Sequence, residues 1–154
     1  MAKILVVDDE VTMVQMVTAL LRSEGHEVYP YSNGDAALAG LDEHQPEMVI
    51  TDLNLEKSKV QGLDILRKAR SLNPPAEVIV VTAFGTVGTA VEAMKQGAYD
   101  YLEKPFKVGD FKLCAQRALS YTKAMAENHY LKKQLSEKYQ LNQIIGTSEP
   151  MQRV

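Results

Sequence analysis

Three runs in this chain, Ile4-Leu5-Val6-Val7, Met48-Val49-Ile50 and Val78-Ile79-Val80-Val81, are apolar at consecutive rather than alternate positions. A strand with one wet face alternates, so an unbroken run demands cover on both faces, as in a parallel sheet flanked by helices. Two further β-branched or aromatic runs complete a set of five strands: Lys3–Val7, Glu27–Tyr31, Met48–Thr51, Glu77–Thr82 and Tyr99–Leu102. Helical patterns separate them, which predicts an α/β chain of (βα)5 type built on a doubly wound parallel sheet.

The first helix follows Asp9, with Met13, Met16, Val17, Leu20 and Leu21 on its inner face, and stops before Gly25, which suits a left-handed cap. The second starts at Ser32, with Asp35 three residues on as an approximate capping box, and runs to about Glu43 before Pro46. The third spans Gly62 to Leu72, stopped by Asn73-Pro74-Pro75, and the fourth Thr86 to Gln96, stopped by Gly97. The fifth starts near Val108 and does not stop, since no Pro and no Gly after Gly109 interrupts it before about Tyr139. Its heptads put Tyr121, Asn128 and Leu135 at a and Ala124 and Leu131 at d, with Glu127 at g and Lys132 at e; Lys138 breaks the next d. A single Asn at a fixes a two-stranded parallel register, so this helix reads as a homodimer linker. The alternative is an amphipathic helix docked on its own domain or frayed.

The 154 residues allow one α/β domain with about thirty to spare. Apolar residues at 45% and charged ones at 24% fit a folded domain, and a net charge of -3 gives no field to draw the chain onto nucleic acid or an anionic membrane. The lone Cys114 excludes an internal disulfide and a cysteine zinc site, which suggests a reducing compartment, the cytoplasm. The N-terminal apolar run is too short for a signal core, and nothing approaches membrane-spanning length. His26, His44 and His129 have no ligand-like spacing and read as surface residues, whereas Met13, Met16 and Met94 read as core fillers and Cys114 as structural.

In open α/β sheets the ligand site lies beyond the carboxyl ends of the strands, where the strand order reverses. Strand one ends in Asp8-Asp9, strand three in Asp52 and strand four in Thr82, and Lys104 stands just past strand five. In the order 2-1-3-4-5 these five side chains converge. Three carboxylates in one cleft must either take up protons or bind a hard divalent cation, Mg2+ above all. Singly, such residues are ordinary helix caps and turn residues. Jointly, with a lysine and a hydroxyl, they suit a phosphoryl group, whose transfer depends on positioning and charge neutralisation, and an aspartate can accept it as an acyl phosphate.

The motifs Val7-Asp8-Asp9-Glu10, Asp52-Leu53, Val81-Thr82-Ala83 and Lys104-Pro105-Phe106 resemble those of the bacterial response-regulator receiver family, over residues 2 to about 120. The resemblance implies a flavodoxin-like fold and phosphorylation of Asp52 by a sensor histidine kinase. It also implies Mg2+ held by Asp8, Asp9, Asp52 and the main-chain carbonyl of Asn54, a phosphoryl group bonded by Thr82 and paired with Lys104, and a cis bond before Pro105. Thr82 and Tyr101 would form the switch. The chain departs from the family where Glu56 stands in place of a usual Pro and Gly62 comes about two residues late, which lengthens the Leu53–Gln61 loop and places Lys57 and Lys59 near the mouth of the site. This reads as a surface insertion, with altered kinase or phosphatase recognition as the other option.

Residues Ile144 to Met151, with Val154, resemble the entry to the ATPase domain of sigma54-dependent activators of the NtrC type. The expected organisation is a receiver over 1–120, a helical dimerisation linker over 121–140 and the start of a truncated AAA+ ATPase domain over 141–154. DNA contact would then belong to a domain outside the chain. Two rivals remain: an aspartate-nucleophile Mg2+ phosphatase, which usually needs a second acid where Asn54 stands, and a phosphate-independent dimerisation module, which leaves the acidic site without a purpose.

Overall fold

The computed structural model describes residues 2–56, 58–83 and 85–124. Five strands, β1 (Lys3–Val7), β2 (Glu27–Tyr31), β3 (Met48–Thr51), β4 (Glu77–Thr82) and β5 (Asp100–Glu103), alternate with α1 (Val11–Ser23), α2 (Gly34–His44), α3 (Gly62–Ser71) and α4 (Val87–Lys95). A fifth helix, α5, covers residues 108–124. All strand pairs are parallel and the order is β2-β1-β3-β4-β5, the order expected from the sequence.

Strand periodicity sorts the core into two halves. Ile4, Val6, Ile50, Ile79 and Val81 point to the face covered by α1 and α5, where Val17, Leu21 and Phe111 close the packing. Leu5, Val7, Val49, Val78 and Val80 point to the other, against Leu41 of α2 and Ile65 and Leu66 of α3. The central runs are unbroken because both faces are dry. Gly25 and Gly97 stop α1 and α4 with φ of 90° and 104°, conformations that a side chain would strain.

Several local expectations are corrected. Asn33, not Ser32, caps α2, its side chain accepting from the Ala36 N–H at 3.1 Å. Asp35 takes no part in that cap and bonds a distant loop instead. Met16 and Met94 are not core fillers, being 42% and 47% exposed. The buried stripe of α1 runs through Met13, Val14, Val17, Thr18 and Leu21, which leaves Met16 at its edge, and α4 buries only Ala93. His44 is not a plain surface residue: its ring stacks on Tyr29 with centroids 3.7 Å apart and its Nε2 lies 3.0 Å from the Tyr31 hydroxyl. The Cys114 thiol donates to Asp100 Oδ2 at 3.3 Å, and burial, then that carboxylate, pushes its pKa up to about 12.

Met1–Ser120 forms one compact unit. Tyr121 and Ala124 lie in the last described helical turns, whereas Asn128, Leu131, Leu135, His129 and the whole of 141–154 fall outside the described residues. No helix among the described residues is long and apolar enough to cross a membrane.

Candidate functional site

The parallel ladder runs one residue past β1 and β3. The Asp8 N–H donates to the Tyr31 carbonyl at 3.2 Å and the Asp52 N–H to the Val7 carbonyl at 3.3 Å. This backbone pairing sets both aspartates side by side at the sheet's carboxyl edge, where they are 1% and 5% exposed. Neither is spent on capping α1, whose N-cap position is Glu10. Asp8 Oδ1 accepts from the Glu10 N–H at 2.9 Å and Asp52 Oδ1 from the Asn54 N–H at 3.2 Å, so each carboxylate is oriented by the turn that follows it.

Lys104 reaches in from the segment after β5. Its ammonium lies 2.7 Å from Asp8 Oδ2 and 3.1 Å from Asp52 Oδ2, with Glu10 at 3.6 Å, and its own N–H donates to the Thr82 carbonyl at 2.9 Å. The Lys104–Pro105 bond is cis, as the resemblance implies; so is Asn73–Pro74. Asp9 completes the group: Asp8, Asp9 and Asp52 each offer an oxygen within 4.8 Å of the others. Asp9, Asp52 and Lys104 line a cleft of roughly 270 Å3 together with Glu10, Asn54, Glu56 and Ala83.

Burial raises the Asp8 pKa to about 6, against the hydrogen bond and charge of Lys104 and with a further push from the Asp52 charge. For Lys104 burial acts downward, but the hydrogen bonds and charges of Asp8 and then Asp52 outweigh it, so its net shift is upward and it stays a cation. One ammonium cannot neutralise three carboxylates. An all-oxygen set with excess negative charge fits a hard divalent cation, and Mg2+ suits it.

Thr82 is fully buried at the end of β4, one residue before the cleft-lining Ala83. Tyr101 stands apart from the cleft, half-buried, its hydroxyl 3.3 Å from Thr89 Oγ1 on α4. Glu10 and Glu56 line the cleft without having been singled out as site residues. Their signal was adjacency, one following Asp9 and the other four residues after Asp52.

A family model for the response regulator receiver domain matches residues 4–116. Among curated proteins, the putative response regulator NtrX-like of Rickettsia felis is 38% identical over 138 residues, which is 90% of this chain and 29% of that protein. The regulatory protein AtoC of Escherichia coli is 34% identical over 149 residues, 97% of this chain and 32% of AtoC. The chain thus spans about a third or less of the length of these relatives. The crystal structure of the receiver domain of NtrX from Brucella abortus superposes with a TM-score of 0.70 at 40% identity, covering 76% of this chain and 98% of that one.

Proposed function

The chain belongs to the response regulator receiver domain family, and on that premise we propose that Asp52 accepts a phosphoryl group from a sensor histidine kinase at a Mg2+ site. The observation that carries this reading is Lys104 between Asp8 and Asp52, with Asp9 beside them. In the transfer an Asp52 carboxylate oxygen forms a bond to phosphorus as the phosphorus–nitrogen bond to the kinase imidazole breaks and that ring is released. The Asn54 N–H holds the carboxylate, and Lys104 turns from the carboxylates to pair with a phosphoryl oxygen as a compact point charge. Asp8, Asp9, Asp52 and the Asn54 carbonyl would hold Mg2+, which would supply positive charge to offset an anionic phosphoryl group in an anionic cleft. Thr82 donates its hydroxyl to the bound phosphoryl group.

The chain is an acceptor rather than a turnover enzyme. Asn54, two residues after Asp52, offers no carboxyl for a hydrolytic general acid. Phosphorylation is read out by Thr82 and Tyr101 and passed to pairing of two chains through the segment carrying Tyr121, Ala124, Asn128, Leu131 and Leu135. The output is transcription control of the sigma54-dependent kind, in the cytoplasm, consistent with relatives named as regulatory proteins. Intact mass after treatment with a small phosphodonor and Mg2+ tests the core claim: wild type gains one phosphoryl group and Asp52→Asn does not. Sedimentation on the same samples tests the pairing, and a gain of mass in the mutant sinks the assignment.

A further inference from the structure

The loop between β3 and α3, residues 52–61, is braced at Leu55, Ser58, Lys59 and Val60. One side chain does half of this: the Gln61 carboxamide accepts from the Leu55 N–H at 2.9 Å and donates to the carbonyls of Leu55 at 3.0 Å and Ser58 at 2.8 Å. From α2, the Asp35 carboxylate accepts from the N–H groups of Lys59 at 3.4 Å and Val60 at 3.2 Å, and the Gly34 N–H donates to Ser58 Oγ at 2.9 Å. Gly34 allows this approach, because a Cβ there would press on the Val60 carbonyl and fall 2.9 Å from Leu55 Cδ1. The braced loop ends on the cleft, where the Glu56 N–H donates to Asp9 Oδ2 at 3.1 Å.

We propose that Gln61 is a positioning residue for the acidic cleft: by closing the loop on itself, while Asp35 ties it to α2, Gln61 presents the Glu56 N–H to Asp9 and so fixes one of the carboxylates that would bind the divalent cation. This rests on the reading of the cleft as a Mg2+-dependent phosphorylation site. Asp9 is only partly buried, and a freely rotating carboxylate must lose that freedom when it takes a cation. A donor held in place by a closed loop removes part of that loss in advance. A Pro at position 56 has no N–H to give, so the Glu found there supplies a contact that the family's usual residue cannot.

The test is calorimetric titration of the whole chain with magnesium chloride alone, for wild type, Gln61→Ala, Asp35→Ala and the double variant. Gln61→Ala is expected to bind Mg2+ about tenfold more weakly, the lower end of losses seen when an outer partner of a metal ligand is removed. Asp35→Ala should bind about threefold more weakly, since Gln61 still closes the loop. The double variant should match Gln61→Ala, because both act through one loop. At saturating Mg2+ all variants should reach the wild-type extent of Asp52 phosphorylation, a recovery that general damage to the fold would not permit. Wild-type affinity in both single variants overturns the proposal. Failure of the wild type to bind Mg2+ overturns the site reading instead. Should Gln61→Ala lose its cooperative melt, the exposed Asp35→Ala decides alone, unchanged affinity counting against.

Discussion

The helices that follow the two sides of the cleft are held very differently. α3, beyond the Asp52 loop, buries Gly62, Ile65, Leu66 and Ala69. Its first residue presses so closely on the Asp52 loop that a Cβ on Gly62 would fall 2.6 Å from Leu53 Cα. α4, beyond Thr82, buries Ala93 alone and exposes Val87 at 82%, with Val91 and Met94 at nearly half. What α4 has instead is local: Thr86 and Thr89 cap each other's backbone N–H groups at 3.1 and 2.9 Å. A reciprocal cap keeps a helix helical, but it does not anchor the helix to a sheet. α3 is therefore part of the core, and α4 is a well-formed helix with little burial beneath it, the kind of element that opens at low free energy.

The largest effect that bears on this contrast is core truncation. Leu66→Ala should lower unfolding free energy by about 2–5 kcal/mol, because Leu66 is fully buried and leaves a cavity. Met94→Ala, on the exposed side of α4, should change it by less than about 0.5 kcal/mol. Chemical denaturation measures both, and comparable losses would erase the distinction between the two helices.

The acidic group at the sheet's carboxyl edge gives the next effect. The Asp8 pKa stands at about 6 against an ordinary 3.8, so the folded chain binds a proton that the unfolded chain has released. The stabilisation tied to that proton is complete below about pH 3.8 and is lost as pH rises through about 6. In metal-free protein at pH 7.5, Asp8→Asn should be more stable than wild type by up to about 2–3 kcal/mol and lose this part of the pH dependence. It should also bind Mg2+ poorly. A destabilised Asp8→Asn with the wild-type pH profile would mean that the Lys104 contact, not burial, dominates at Asp8.

The stiff side of the molecule was legible in the sequence and the loose side was not. Runs such as Val78–Val81 have one reading because burial on both faces removes alternation, and Asp8, Asp52 and Thr82 could be placed because they follow such runs. Met94 misleads because apolar character is not burial, and no pattern within nine residues reveals that α4 buries Ala93 alone. Asp35 misled because Ser32 and Asn33 are both good caps, while its actual partners lie 24 and 25 residues further on. Gln61 gave no signal at all, since the carbonyls it bonds converge only once the loop has closed.

The smallest expected effect is the most selective. Tyr101 ties α4 to the sheet through its hydroxyl at Thr89 Oγ1, and it crowds Gly85, where a Cβ would collide with that hydroxyl. Tyr101→Phe removes one half-exposed hydrogen bond and leaves the ring in place, so global stability should fall by no more than about 0.5–1 kcal/mol. If α4 opens by itself, the loss is felt there first: hydrogen exchange at α4 amides should quicken severalfold while α3 amides keep their rates. Thr89→Val would be a poor substitute, because Thr89 also caps the helix and its removal mixes fraying with detachment. Equal acceleration in α3 and α4 would mean that the two helices open together, and the looseness of α4 would then be a property of its surface rather than of its attachment.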